Sequence, residues 1–328
     1  MLTQEKLLSI ASQLRAGKSV QLATDDFPCF GQKPALIDPR RHAFTLARIS
    51  SRLSAQDACV FERAAQAMAE GDLAWIGFKI VADADQAVSN TDNEVTKRYG
   101  AQGSADGQDL VFFCNDAKEI VAGRQWSPRD TFQMKDVTRG PAMHTDQFPG
   151  LTWASVPLFD QVRVWLVGAS DCAVETAALA HHVGFKVDVV DIDPEFANTA
   201  RFPQATVHLL NSFDDLGSLV ADPKDYVCVL TRGHMADPEG CAWAVANEVH
   251  YVGMMGCKGK NTRVEELCAA RGVTPEQWAR IKRPIGLKFG AKTVAELAIA
   301  IVAELVDVRY QQRYSQEARD KHEASLGR

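Results

Sequence analysis

The sequence predicts an α/β protein of two domains, with a parallel sheet in the second domain and a smaller α+β arrangement in the first. From residue 162 onward, short apolar runs alternate with amphipathic helical segments. Such alternation builds a parallel sheet covered by helices on both faces. The 328 residues give enough length for two cores. We place the domains at residues 1–150 and 151–328, within a boundary region of residues 140–160.

The first half has mixed helical and strand patterns. Apolar spacing predicts a helix over residues 4–16 and a second helix that begins after Ser54 and ends at Gly71. Strands are predicted over residues 20–24, 73–81 and 109–114, and a hairpin over residues 33–50 turns at Asp38-Pro39. The polar residues 83–107 predict a surface excursion, and residues 124–150 an irregular segment.

Residues 162–191 predict a strand, a tight turn, a helix and a second strand. VRVWLV is a short apolar run, Gly184 follows the helical pattern, and KVDVVD ends at Asp191. Asp191 lies about 20 residues past the turn, where a dinucleotide-binding unit places the carboxylate that takes ribose hydroxyls. The stretch therefore predicts a Rossmann-like fold.

The turn itself departs from the G-x-G-x-x-G/A pattern of dinucleotide sites. Its three positions are Gly168, Ser170 and Ala173. Gly168 still permits the tight turn, and Ala173 allows close helix–strand packing. Ser170 places a side chain where the backbone must approach a pyrophosphate, and Asp171 adds negative charge at the helix start. The stretch is thus a stronger indication of the fold than of bound NAD.

Ligands of open α/β sheets bind beyond the carboxyl ends of the strands. The strands ATVHLL, DYVCVL and HYVGMM continue the sheet, so three loops form its functional edge: residues 168–173, 231–237 and 256–260. We expect a ligand to contact Gly168, Ser170, Ala173, Asp191, Thr231, His234, Gly256, Cys257, Lys258 and Gly286. Gly286 is expected mainly to allow a tight approach of its turn to the sheet.

Composition limits the partners. The formal charge of −6 argues against nucleic acid or an anionic membrane, and no apolar run is long enough to span a bilayer. The N-terminal residues lack the continuous apolar segment of a signal peptide. The eight cysteines show no C-x-x-C spacing, which is typical of reduced thiols. We expect a cytoplasmic protein.

Several motifs of the second half resemble the xanthine dehydrogenase accessory protein family, the XdhC/CoxI group. The resemblance covers residues 162–305 and rests on these stretches: VVDIDPEFA followed by RFP, LTRGHMAD, YVGMMGCKGK and RPIGLKFGAKTVAELAIAIVAEL. The first half resembles the family faintly, since Ala58-Cys59-Val60 falls on a Gly-Gly-Cys-Val turn whose glycines are missing here. The altered nucleotide turn is a second departure, so the chain resembles a divergent member.

The resemblance implies a role as a carrier. Family members bind molybdenum cofactor, protect it during sulfuration and deliver it to a molybdenum hydroxylase such as xanthine or aldehyde dehydrogenase. It implies molybdopterin or its cytosine dinucleotide form as ligand, with the hydroxylase apoprotein and a cysteine desulfurase as partners and a homodimer as a further expectation. It implies no catalytic residue.

Individual residues keep alternative interpretations. Cys59 is either a ligand to molybdenum or a packing residue on a helix, and packing is favoured because the flanking glycines are missing. Thr231 and His234 are candidates to bind a phosphate or a pterin. Asp237, followed by Pro238, is interpreted as a helix cap. Lys258 and Lys260 suit an anion at a helix start.

Two other functions remain open at this point. An NAD(P)-dependent oxidoreductase would follow from the fold and Asp191, with His234 as the proton donor. A protein that docks on a hydroxylase or a sulfur donor without any ligand would use the long last helix as its contact surface.

Overall fold

The computed structural model describes residues 2–23, 26, 39–81, 109–138, 143–148, 151–158, 162–256, 258–313 and 316–325. The chain divides into two compact units, Met1–Asp160 and Gln161–Arg328. The division lies at Asp160 rather than at residue 150, because Leu151–Leu158 is a strand of the first unit's sheet.

The first unit has one antiparallel sheet with helices on its faces. Its helices are α1 (Gln4–Arg15), α2 (Pro39–Arg52), α3 (Ala58–Glu70) and α4 (Pro128–Val137). Its strands are β1 (Ala74–Val81), β2 (Leu110–Asn115), β3 (Ile120–Ala122), β4 (Met143–Phe148) and β5 (Leu151–Leu158), in the order β3-β2-β1-β5-β4. Every residue of the central strand β1 is buried.

One face of this sheet carries most of the apolar core. Side chains of α1 and α3 pack there against Ile76 and Phe78 of β1. The opposite face holds a smaller cluster in which Met134 and Val137 of α4 meet Phe112 and Trp153. Gly77 leaves room for the Phe112 ring over β1, since a Cβ at this position would lie 2.0 Å from the ring.

The predicted hairpin over residues 33–50 is wrong. The structure has helix α2 from Pro39, and residues 33–38 lie outside the described part. Proline is tolerated at the first position of a helix, so the same residue that suggested a turn starts a helix instead. Leu46 and Ile49 are both buried, three residues apart, as one face of a helix requires.

Two further predictions for the first half are wrong. Residues 20–23 form no strand; Val20 and Leu22 are buried, and the Leu22 N–H donates to Ser50 Oγ at 2.9 Å instead of to a strand. Residues 124–150, predicted irregular, contain α4 and β4. Helix α4 begins with a capping box between Ser127 and Asp130, a sequence signal that was overlooked. The predicted polar excursion over 83–107 lies outside the described residues.

The second unit has the predicted Rossmann-like parallel sheet. Its strands are β6 (Arg163–Val167), β7 (Lys186–Asp191), β8 (Thr206–Leu209), β9 (Tyr226–Val229) and β10 (Tyr251–Met254), in the order β10-β9-β6-β7-β8. All four strand pairings are parallel. Its helices are α5 (Asp171–His182), α6 (Asp237–Ala246), α7 (Lys258–Ala270), α8 (Pro275–Arg280), α9 (Val294–Arg313) and α10 (Gln316–Ser325).

The strand order reverses between β6 and β9. The chain leaves β6 toward β7 on one side, and β9 returns to pair with β6 on the other side. Helix α5, which follows β6, packs on one face of the sheet, and α6, which follows β9, packs on the other. The carboxyl edge at the two loops is where open α/β sheets bind ligands, and this position is called the crevice below. Within the described residues, no helix combines the length and apolar character that a bilayer crossing requires.

Candidate functional site

Gly168 forms the sharp turn at the carboxyl end of β6. Its φ is +102°, and its N–H donates to the Val190 carbonyl at 2.8 Å. A Cβ at this position would lie 2.5 Å from Cα of Thr231 and 2.7 Å from the carbonyl oxygen of Leu230. These are backbone atoms that cannot rotate away, so the turn requires glycine and packs directly on the loop after β9.

Ser170 and Ala173 form the start of α5. Ser170 is the N-cap residue, and its Oγ accepts from the Ala173 N–H at 3.3 Å. Ala173 is fully buried, as close packing of the helix on the sheet requires. One of the free N–H groups that a phosphate would use at this helix is therefore already satisfied by the chain itself.

Asp191 at the end of β7 is buried and fully engaged. Its Oδ2 accepts from the Ala169 N–H at 2.7 Å, within the turn after β6. Its Oδ1 accepts from the N–H groups of Ile192 at 2.8 Å and Asp193 at 3.1 Å, and from Arg232 Nη2 at 3.1 Å. With a side chain only 2% exposed, this carboxylate holds the two loops together and presents no free acceptor to a ribose.

Arg232 crosses the carboxyl end of β6. It belongs to the loop after β9, yet its guanidinium reaches Asp191 on the far side of β6, and also Asp193 at 3.4 Å. The guanidinium lies 3.5 Å from the centroid of the Phe196 ring, the contact distance of a cation–π pair. Its Nε is buried and has no hydrogen-bond partner.

Arg201 covers the same turn from the other side. Its Nη1 donates to the carbonyls of Ala169 at 2.9 Å and Phe196 at 3.0 Å, and its Nη2 pairs with Asp171 at 2.6 Å. Asp171 is 82% exposed, so the ion pair lies at the surface over the start of α5. Arg201 thus ties the turn to the segment after β7.

These contacts do not fit a dinucleotide. A Rossmann site needs a free carboxylate for the ribose and free N–H groups for the pyrophosphate. Here Asp191 is saturated, Ser170 caps the helix, and Arg232 lies between them. Two guanidiniums face the carboxylates of Asp171, Asp191 and Asp193, so the local charge gives a phosphate no net attraction.

Thr231, His234 and Asp237 form a compact cluster beside Gly168. Asp237 is 1% exposed and accepts from Thr231 Oγ1 and from His234 Nδ1, the latter at 2.7 Å. A carboxylate can only accept, so His234 carries its hydrogen on Nδ1 and a neutral ring offers Nε2 as an acceptor. His234 is itself 23% exposed and has a φ of +62°.

The interpretation of Asp237 as a helix cap is wrong. Ala236 occupies the N-cap position and makes no side-chain capping bond, whereas the Asp237 carboxylate binds Thr231 and His234. Pro238 in the first turn suggested a local role for the acid. The sequence did not show that a threonine and a histidine six and three residues earlier would converge on it.

The third predicted loop is described only in part. Gly256 packs on α7, where a Cβ would lie 2.6 Å from Asn261 Oδ1, a buried oxygen with no hydrogen-bond partner. Cys257 lies outside the described residues, as do the side chains of Lys258 and Lys260, although Lys258 begins α7. Their predicted role in anion binding stays a prediction.

Gly286 lies against the last long helix. Its φ is +95°, and a Cβ would lie 3.2 Å from the backbone of Ala300 on α9. The Leu287 N–H donates to the Ala300 carbonyl at 3.1 Å. This geometry is the tight approach expected for the turn, although the contact is with α9.

Cys59 lies near the start of α3, partly buried against the core of the first unit. Its thiol donates to the Gln56 carbonyl at 3.2 Å, and desolvation raises its pKa, which disfavours the thiolate that binds metals. In the described part of the chain, no group of three His, Cys, Asp or Glu side chains gathers as a metal site would require.

The predicted site residues did not include Arg201, Arg232 and Phe196. All three lie in stretches that carried the family resemblance, and two are arginines near several conspicuous aspartates. The available signal was that these arginines and aspartates, of opposite charge, were predicted to lie at the same edge of the sheet. The pairing itself joins residues 41 positions apart, which spacing alone does not reveal.

Comparisons with known proteins give similarity to part of the chain. A model of the XdhC Rossmann domain matches residues 164–305. A protein of Bacillus subtilis (strain 168) named as a probable xanthine dehydrogenase subunit is 30% identical over 149 residues, which cover 45% of this chain and 43% of that protein. The uncharacterized protein YqeB of Escherichia coli (strain K12) is 28% identical over 149 residues, which cover 45% of this chain and 27% of that protein.

The matched region therefore spans less than half the length of either relative. A crystal structure of a xanthine dehydrogenase from Bacillus halodurans aligns over 78% of this chain and 68% of that chain, with 18% identity and a TM-score of 0.44. That overlap is too low to support an inference. The matched residues 164–305 include the loops that build the crevice. Over residues 164–305, less than half of its length, the chain is therefore similar to the XdhC Rossmann domain.

Proposed function

We propose that the protein is a maturation factor that binds molybdenum cofactor and delivers it to a molybdenum hydroxylase. The observation that carries the proposal is an XdhC Rossmann domain whose switch-point crevice holds a histidine oriented by a buried carboxylate. A carrier needs groups that recognise its ligand and does not need a nucleophile. The cluster of Thr231, His234 and Asp237 meets this requirement.

The side of the crevice next to β9 offers the contacts. The Nδ1 of His234 is held by Asp237, so the ring loses little freedom when its Nε2 binds a polar group of the ligand. The bound cofactor supplies the metal–sulfur chemistry that the hydroxylase later uses. The chain's own residues orient and shelter it, and the apoprotein of the hydroxylase and a cysteine desulfurase are the proposed partners.

The cysteines support a proposal for the cellular compartment of the protein. The described cysteines, Cys59, Cys114, Cys172, Cys228, Cys241 and Cys268, are all free thiols. Free thiols persist where glutathione keeps them reduced, so the proposed location is the cytoplasm.

His234→Ala is expected to weaken cofactor binding about tenfold, or ~1.4 kcal/mol, because the ligand loses one oriented hydrogen-bond partner. The measurement is ultrafiltration of the full chain at micromolar concentration with molybdopterin, followed by fluorescence of the oxidised pterin. His181→Ala is the matched control, since His181 is an exposed histidine on α5. If the wild-type chain retains no pterin, the carrier function is refuted and docking without a ligand becomes the better account.

Cys59→Ala is expected to leave pterin retention within a factor of about two, because its thiol already donates to a carbonyl and its raised pKa keeps it protonated. The same ultrafiltration assay measures this. A loss as large as that of His234→Ala would instead make Cys59 a ligand of the cofactor.

The oxidoreductase alternative finds no support in the crevice. It requires NAD(P) on the turn after β6, where Asp191 has no free acceptor and Ser170 caps α5. His234 is the only proton donor named for it, and because its Nδ1 pairs with Asp237, the proton would have to come from Nε2. The objection to this function is therefore the occupied cofactor position.

A further inference from the structure

We propose that Arg232 is a specificity-determining residue that excludes a nucleoside from the crevice. The ligand is then a compact molecule without a nucleotide extension. This inference rests on the proposed function, under which it selects molybdopterin over its cytosine dinucleotide form. Four features of the described residues support it.

The first feature is the path of the Arg232 side chain. In a Rossmann domain, an extended ligand runs across the end of the first strand, with its pyrophosphate at the turn and its ribose on the acid of the next strand. In this sheet those places are Gly168 and Asp191. Arg232 starts in the loop after β9 and ends on Asp191, so its side chain lies along the path that the extended ligand would take.

The second feature is the occupation of the ribose position. Asp191 accepts hydrogen bonds from three backbone N–H groups as well as from Arg232. Both of its oxygens are engaged, and its side chain is 2% exposed. A ribose hydroxyl could donate to this carboxylate only if Arg232 moved away.

The third feature is what holds Arg232 in place. The guanidinium lies on the Phe196 ring at 3.5 Å and is paired with Asp193 at 3.4 Å in addition to Asp191. Arg201 holds the backbone of Phe196, since its Nη1 donates to the Phe196 carbonyl at 3.0 Å. A nucleoside entering here would have to displace a cation–π contact and two ion pairs together.

The fourth feature is the asymmetry of the crevice. The side near β9 has His234 with its Nδ1 on Asp237, which leaves Nε2 for a ligand, whereas on the side near β7 the carboxylates and guanidiniums pair with one another and leave unpaired only the buried Nε of Arg232. A ligand bound by the first side alone would not need the second. A compact ligand can therefore be bound at His234 without any space for a nucleoside at Asp191.

Arg232→Ala is expected to lower the dissociation constant for NADH at least about tenfold. For the wild type we expect this constant to lie above the micromolar range. NADH serves as the probe because it is a dinucleotide and its fluorescence reports binding directly. Inorganic phosphate, titrated by calorimetry, is the second probe. If Arg232 attracted ligands by its charge, its removal would weaken both probes; exclusion predicts a gain for NADH with unchanged or weaker phosphate binding.

Arg163→Ala is the matched control. Arg163 also pairs with a buried aspartate of β7, Asp188 at 3.3 Å, and also lies over an aromatic ring, but it starts β6 at the opposite edge of the sheet. This variant is expected to bind NADH as the wild type does. Phe196→Ala provides a second test if Arg232→Ala fails to fold, because it removes the ring that holds the arginine; a gain in NADH affinity is expected here as well.

Unchanged NADH affinity in folded Arg232→Ala, or micromolar NADH binding by the wild type, would overturn the inference. Its failure is distinguishable from failure of the proposed function. Absence of retained pterin in the wild type would refute the carrier role and leave the exclusion of nucleosides intact. Unchanged NADH affinity in the variant, with pterin retained by the wild type, would refute only the exclusion.

Discussion

Asp191→Ala is expected to lower the free energy of unfolding of the C-terminal unit by about 3–5 kcal/mol. The substitution leaves the N–H groups of Ala169, Ile192 and Asp193 without their acceptor and leaves the Arg232 guanidinium without its buried partner. Each unsatisfied buried donor costs about 1–3 kcal/mol, and part of this is recovered where water enters. The effect reaches both loops of the crevice because this one carboxylate joins them.

Urea denaturation followed by peptide-resolved hydrogen exchange measures the loss and assigns it to the unit. Peptides from the turn after β6 and from the start of α5 should lose protection first, since the Ala169 N–H is the link that breaks. Asp171→Ala is the control: that carboxylate is 82% exposed, and its ion pair should contribute at most about 1 kcal/mol. Equal losses in the two variants would show that Asp191 does not hold the loops.

The fold of the second unit was predictable because its signals are local and agree with one another. The apolar runs of β6 and β7, the glycine at 168 and the acid at 191 all fit one βαβ unit. The first unit gave conflicting signals. Pro39 suits either a turn or a helix start. Val20 and Leu22 alternate with polar residues as in a strand, but they are buried side chains of an irregular segment.

The candidate site was predictable only as a set of loops. Strand order brings the residues after β6 and β9 together, so Thr231 and His234 were found from their position in the chain. Which side chains pair depends on contacts between distant residues. Arg232 meets Asp191 across an intervening strand, and Asp237 turns inward toward His234 although the adjacent proline suggested a cap.

The second large effect concerns a buried ion pair in the N-terminal unit. Lys79 of β1 and Asp130 of α4 are joined at 2.8 Å, with side chains 5% and 11% exposed. Lys79 Nζ also lies 5.7 Å from the Trp153 ring centroid, and Asp130 accepts from the Ser127 N–H at 3.0 Å. The pair fastens α4 to the face of the sheet opposite the larger core.

Asp130→Ala is expected to cost about 3–5 kcal/mol, because it leaves the lysine charge buried without a partner. Replacing both residues, as Lys79→Met with Asp130→Leu, is expected to recover most of that loss, since an apolar pair of similar volume removes both desolvation penalties. Urea denaturation monitored by hydrogen exchange of β1 peptides provides the measurement. A double variant as unstable as the single one would mean that capping by Asp130, rather than its charge, holds α4 in place.

The pair also makes the N-terminal unit sensitive to acid. Burial opposes ionisation of Asp130, but hydrogen bonds from Lys79 and Ser127 and the Lys79 charge outweigh it, so the pKa of Asp130 is lowered. A carboxyl whose pKa is lower in the folded state stabilises the fold above its unfolded pKa of about 3.9 and loses this contribution as pH falls through the folded value. The wild-type unit should therefore lose stability below about pH 4 more steeply than the apolar double variant. Since the two chains differ only at this pair, parallel pH profiles would show that other carboxylates cause the acid sensitivity.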